Sequence, residues 1–162
     1  MVMKINTKVF SPVLLLYSCV LLQSCYEQPD LISEISTSVG KVAQVSVVWL
    51  GTTRQVSSSS AVLPNLTVNA GDTTLFNIEF TSEIPLKEFR VYWAATATGT
   101  QTLISTLPSG AEKYDPVLRS YVFKVPVQAP EAKGVTRNFF AEIITDNGLA
   151  SLRKSATLTT NK

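Results

Sequence analysis

Ala70-Gly71-Asp72-Thr73-Thr74-Leu75-Phe76-Asn77-Ile78-Glu79-Phe80 is the stretch whose reading decides the fold. A Gly-Asp turn opens it, and Phe76, Ile78 and Phe80 then recur at every second position with Asn77 and Glu79 between them. A period of two marks one face of a strand, whereas a helix needs spacings of three and four. The same alternation returns at Val45, Val47 and Trp49, at Phe89, Val91 and Trp93, and at Tyr121, Phe123, Val125 and Val127. These side chains are expected to point inward. Asn77, Glu79, Arg90, Tyr92 and Lys124 fall out of phase with them and are expected on wet faces, as in antiparallel sheets covered on one side.

Working outward, eight segments rich in Val, Ile, Phe, Tyr, Trp and Thr are set apart by Gly, Pro, Asn, Asp and Ser. They are 42–50, 66–69, 73–81, 88–95, 102–107, 120–127, 137–145 and 149–159, a spacing that predicts an all-β domain. Phe139 to Ile144 is apolar at nearly every position, as a central strand would be. Asp146-Asn147-Gly148 reads as a tight hairpin turn between the last two segments rather than as part of a calcium site, which needs six or more oxygen ligands. Gly51 to Ser60, with four consecutive Ser, reads as a polar loop or an edge insertion. At roughly 1.5–3 kcal/mol for each large apolar side chain buried, the inward set can offset the ordering entropy of the domain without a disulfide.

The 70–80 stretch, Leu86 to Trp93, and Phe139 to Leu158 around Thr145-Asp146-Asn147-Gly148 look like bacterial immunoglobulin-like or fibronectin-like domains. That resemblance implies an antiparallel β-sandwich of about seven to eight strands over 41–162. The cysteine pair of antibody domains is absent, and the resemblance gives Trp93 a comparable core role.

The amino terminus carries a different signal. Met1 to Lys8 is basic, and Val9 to Leu22 is an apolar run of fourteen residues, the layout of an export signal. As a helix it spans about 21 Å, short of the roughly 30 Å hydrocarbon core. Leu22-Gln23-Ser24-Cys25 follows and resembles the lipobox of bacterial lipoproteins, with an aliphatic residue at −3, a small one at −1 and then the cysteine. Leu16-Tyr17-Ser18-Cys19 is a competing box, but it leaves the Val20-Leu21-Leu22 run unused. The resemblance implies cleavage after Ser24, lipid on Cys25, and, with Tyr26 rather than Asp next, an outer-membrane location. Residues 1–24 are then a signal peptide, 25–40 a flexible tether reaching up to about 50 Å if extended, and 41–162 the sandwich.

Composition narrows the chemistry further. The chain has 162 residues, no His, and two Cys, both within the first 25 residues. Imidazole and thiol catalysis and His or Cys metal sites are therefore excluded from 41–162, and no cofactor or metal is expected. Of the 14 basic residues, Lys4 and Lys8 precede Cys25, leaving twelve against twelve acidic, which gives no nucleic-acid footprint. Carboxylate pairs such as Glu79 and Glu142 are the remaining enzymatic possibility, and both are expected as solvated surface groups. Exposed aromatics are the usual contact residues. Tyr92, and Tyr114 in the Pro108 to Pro116 loop, are the candidates, while Trp49 and Trp93 are expected in the core. The expected function is a non-catalytic envelope lipoprotein whose Ig-like module binds a protein partner. The alternatives are glycan capture in a carbohydrate-uptake system and an envelope enzyme.

Overall fold

A computed structural model describes residues 40–161 of the chain. The expectations for the signal peptide, Cys25 and most of the tether lie outside the described residues. Among the described residues nine strands form: β1 Gln44–Leu50, β2 Leu66–Val68, β3 Thr73–Thr81, β4 Leu86–Ala94, β5 Thr102–Pro108, β6 Lys113–Asp115, β7 Ser120–Gln128, β8 Thr136–Thr145 and β9 Lys154–Thr160. They make two sheets, one ordered β1-β3-β7-β6 and the other β2-β9-β8-β4-β5. This is the immunoglobulin-like division of strands between two sheets. The apolar β8 is central, as its sequence predicts.

Three departures from the sequence reading have local causes. β2 pairs with β9 in parallel, so the sandwich is not wholly antiparallel. The first edge is shared between β1 in one sheet and β2 in the other, and β2 runs in the direction of the last strand. β6 is a ninth strand inside the expected 108–116 loop. Three residues are too few to show a period, and two of them, Lys113 and Asp115, are charged. β9 begins at Lys154 rather than Leu149, because the Ser151 hydroxyl accepts the Ile143 N–H at 2.9 Å and Ser151 N donates to Ile143 O at 2.9 Å. Only an isolated bridge, Ile144 to Ala150, precedes that point.

The turns form as read. Gly71 has φ +80°, and Asp72 N donates to Asn69 O while Asn69 N donates to Asp72 Oδ2, each at 3.2 Å. Gly148 has φ +83° and closes on Thr145 O at 2.8 Å. Asn147 Oδ1 accepts from Thr145 Oγ1 and Leu149 N, which occupies it within the turn. Between β1 and β2 the chain makes a small hairpin of its own, with Val56 bridged to Val62 and the Ser57 hydroxyl accepting from Ala61 N. Pro126 sits inside β7, opposite Leu75. β6 pairs only with Ser120 to Val122, so β7 is an edge at Pro126, where a missing N–H is tolerated.

The core lies between the sheets. Val45, Val48, Leu50, Phe76, Ile78, Phe80, Phe123, Val125 and Val127 meet Phe89, Val91, Phe139, Ala141, Ile143 and Leu158. An aromatic seam joins the layers. Phe89 stacks on Phe123 with ring centres 3.9 Å apart and planes 7° from parallel, and Phe80 meets Phe89 edge-on at 5.4 Å. Trp93 is only partly buried and packs at the margin of this core, with the Arg137 guanidinium 4.6 Å from its ring centre. The centre that the resemblance gives to a tryptophan is held instead by Phe89 and Phe123.

A bulge corrects the reading of β1. Val45 pairs with Phe80 and Val47 with Glu79, so Ser46 is an extra residue. An inserted residue reverses the alternation beyond it. Val48 and Leu50 therefore turn inward, and Val47 and Trp49 turn to the outer face.

Candidate functional site

That reversal sets an indole on the outer face of the β1-β3-β7-β6 sheet. Register puts Trp49 beside Asn77 and Asn77 beside Lys124, and puts Val47, Glu79, Val122 and Lys113 in the neighbouring row. This face is not wet, as Asn77 and Glu79 were expected to make it. Asn77 is fully buried and Glu79 is 6% exposed. The chain leaving β1 explains both. Asn77 Nδ2 donates to Gly51 O at 2.8 Å, anchoring the exit of the strand. Arg54 then lies back across the face, its guanidinium 5.9 Å from the Trp49 ring centre and its Nε 3.2 Å from Glu79 Oε2. The angle of that ion pair is not one of hydrogen bonding, so Arg54 Nε and Glu79 Oε2 stay buried without a hydrogen-bond partner. The Trp49 indole N–H, on a residue 5% exposed, has none either.

Beside them opens a groove of about 530 Å³, within the size range of small-molecule sites. Trp49 and Val122 line it, with Arg54, Lys113 and Lys124 as its cations. Tyr114, 55% exposed, and Asp115 also line it. Asp115 is committed to the chain's own turn: its Oδ1 accepts from Val117 N at 2.9 Å and Leu118 N at 3.1 Å. Tyr114 packs edge-on against Tyr121, ring centres 5.3 Å apart and planes at 66°. These two exposed tyrosines are therefore not a coplanar stacking platform.

The other sequence candidate is not at a surface. Tyr92 is 8% exposed, against its expected exposure. It lies on the outer face of the second sheet, where its hydroxyl donates to Glu142 Oε2 at 2.7 Å. The Arg153 guanidinium stacks 3.8 Å from its ring centre, and Arg153 Nε donates to Glu142 Oε1 at 2.9 Å. Burial and the hydrogen bond to the Glu142 carboxylate both push the Tyr92 phenol above its usual range. Burial works against the Glu142 charge, but hydrogen bonds from Arg153 and Tyr92 and the charges of Arg153 and Arg90 outweigh it. The carboxyl is held below the usual carboxylate range.

Glu142 is thus buried, 7% exposed, and not the solvated group expected. Glu79 and Glu142 project from the outer faces of different sheets with the core between them, so they form no catalytic pair. Among the described residues, no three His, Cys, Asp or Glu gather as metal ligands.

A third feature is an edge. β5 pairs only with β4 and leaves its other side open. It carries no charge, and Leu103 and Ile104 are exposed on it. A bulge leaves Ile104 as the extra residue opposite Val91 and Tyr92. The other edges are short or covered: β2 and β6 have three residues each, and β1 lies against β9.

No family model matches the chain, and no curated protein matches it in sequence. Solved structures similar to it include an AA10 lytic polysaccharide monooxygenase from Streptomyces lividans, at 16% identity over 64% of this chain and 63% of that one, TM-score 0.41. A chitin binding domain from Burkholderia pseudomallei is similar at 10% identity over 59% and 56%, TM-score 0.40. An Fn3-like protein from Clostridium thermocellum is similar at 17% identity over 59% and 85%, TM-score 0.34. The chain spans less than two thirds of the monooxygenase and of the chitin binding domain. At these values the likeness adds nothing to what the strand order itself establishes.

Proposed function

We propose that this chain is a non-catalytic binding module of a bacterial cell envelope. Lipid on Cys25 holds it at the outer membrane, and the sandwich takes a protein partner along β5. The observation that carries this reading is the open, uncharged edge with its exposed Leu103 and Ile104. An edge of unpaired N–H and C=O groups is a template for another strand. A lipid anchor would leave the domain free to spend its surface on that partner, since two or three acyl chains attach far more durably than one.

Cross-linking the full-length protein in its native envelope, followed by mass spectrometry, is the direct test. A stoichiometric partner retained by the wild type and lost by Ile104→Lys supports the reading. The substituted side chain is already exposed, so stability should stay within about 0.5 kcal/mol. A partner held equally well by Ile104→Lys would mean that contact lies elsewhere. The anchor has its own test: Cys25→Ser should run as an unprocessed precursor without incorporated palmitate, and unchanged palmitate labelling would remove the lipobox reading.

A second reading, glycan capture, is favoured by one observation, the groove beside Trp49.

A further inference from the structure

The polar groups around the groove are out of balance. Lys113 and Lys124 lie diagonally across β6 and β7 on one face, and among the described residues neither has an ion-pair partner. Like charges so placed repel each other unless something neutralises them. Asp115, the groove's carboxylate, already accepts two backbone N–H groups. Below them Arg54 is paired by charge with Glu79, and the Trp49 N–H is a buried donor without an acceptor. Such groups cost free energy in a folded protein and mark places where a ligand or a rearrangement completes the bonding. The groove therefore has one buried donor without an acceptor and more positive charge than negative.

From this imbalance we infer that the groove binds a saccharide bearing carboxylate groups. The inference rests on the glycan reading and names the class of sugar. A uronate supplies what the lining lacks: a carboxylate for Lys113 and Lys124, and a ring or hydroxyl oxygen as acceptor for the indole N–H. The rings of Tyr114 and Tyr121 share the other side of the sheet, so charge-assisted bonds rather than ring stacking hold the ligand.

The test is isothermal titration of the full-length protein in detergent with tri-galacturonic acid, neutral galactotriose and citrate. Tri-galacturonic acid is expected to bind saturably, with affinity that falls as salt is raised, since partly exposed ion pairs are screened. Lys113→Gln combined with Lys124→Gln should weaken it by about tenfold, the scale of losing charge-assisted hydrogen bonds. The thermal midpoint should not fall, because the substitutions remove a repulsion at the surface.

Galactotriose binding as tightly as the acid would overturn the inference and leave the glycan reading standing. No binding by either sugar would remove both. Citrate binding as tightly as tri-galacturonic acid would make the groove a general anion site and overturn the saccharide part. Binding that is unaffected by the double substitution would place the ligand outside the groove and overturn the inference.

Discussion

Phe89→Ala is expected to destabilise the domain by about 3–5 kcal/mol, the range for a fully buried aromatic truncated to alanine. Phe89 has no exposed surface. It gives one face to Phe123 across the sheets and takes an edge contact with Phe80. Truncation removes the transfer free energy of the ring and leaves a void between layers that a sandwich pinned by strands on both sides closes only partly. For a domain of this size the loss corresponds to a fall in Tm on the order of 10–20 °C. Phe89→Leu, which keeps most of the volume, should cost no more than about 1.5 kcal/mol. Thermal and urea unfolding of both variants, alongside Trp93→Ala, gives the check. Trp93 is partly exposed at the core margin, so its truncation should cost less than that of Phe89. The reverse order would mean that the tryptophan, and not the phenylalanine stack, is the centre of the sandwich.

That ordering marks where the sequence was legible. A period of two is a statement about one strand with one wet face, and wherever those conditions held, as for Phe76, Ile78, Phe80, Phe89, Val91, Phe123, Val125 and Val127, the inward side chains were readable. The turns at Gly71 and Gly148 were readable for a related reason. Both residues take positive φ, which glycine adopts without steric cost. The parity of β1 was not readable, because Val47, Val48, Trp49 and Leu50 are all apolar and nothing local says that Ser46 is extra. β6 was hidden by its length, since a three-residue strand is defined by its partner rather than by its own pattern.

The groove was illegible for a different reason. Arg54, Lys113 and Lys124 are scattered over seventy positions and come together only through sheet register and the return of the chain after Gly51. Trp49 joins them only because the bulge turns it outward. Tyr114 was expected to be exposed from its loop context, and it is exposed. Tyr92 was misplaced by the same alternation rule that succeeded elsewhere: out of phase with the core does not mean wet when an arginine and a glutamate close over the ring. Glu79 and Asn77 were misplaced in the same way, under Arg54 and the exit from β1.

Closure of that second outer face is why Glu142→Ala should be costly. The substitution leaves the Tyr92 hydroxyl and Arg153 Nε without their acceptor, while Arg90 keeps its ion pair with Glu88. Breaking a buried pair by removing one partner costs more than the pair is worth, because the group left behind stays desolvated. Arg153 and Arg90 keep about a third of their side chains in water, which moderates the loss to about 2–3 kcal/mol. Dependence on pH separates this account from simple loss of packing. A carboxyl held below its usual range contributes stability that is present above about pH 4 and is lost as pH falls through the folded value. The gap in unfolding free energy between the wild type and Glu142→Gln should therefore be constant near neutrality and close in acid. Tyr92 has the opposite sign. Its raised phenol contributes stability that is present below about pH 10 and lost as pH rises through the folded value. The gap between the wild type and Tyr92→Phe should then hold at neutral pH and close only in alkali. If both gaps stay flat from pH 3 to 11, Glu142 and Tyr92 are held by packing alone, and the charge network across β4, β8 and Arg153 contributes nothing to the fold.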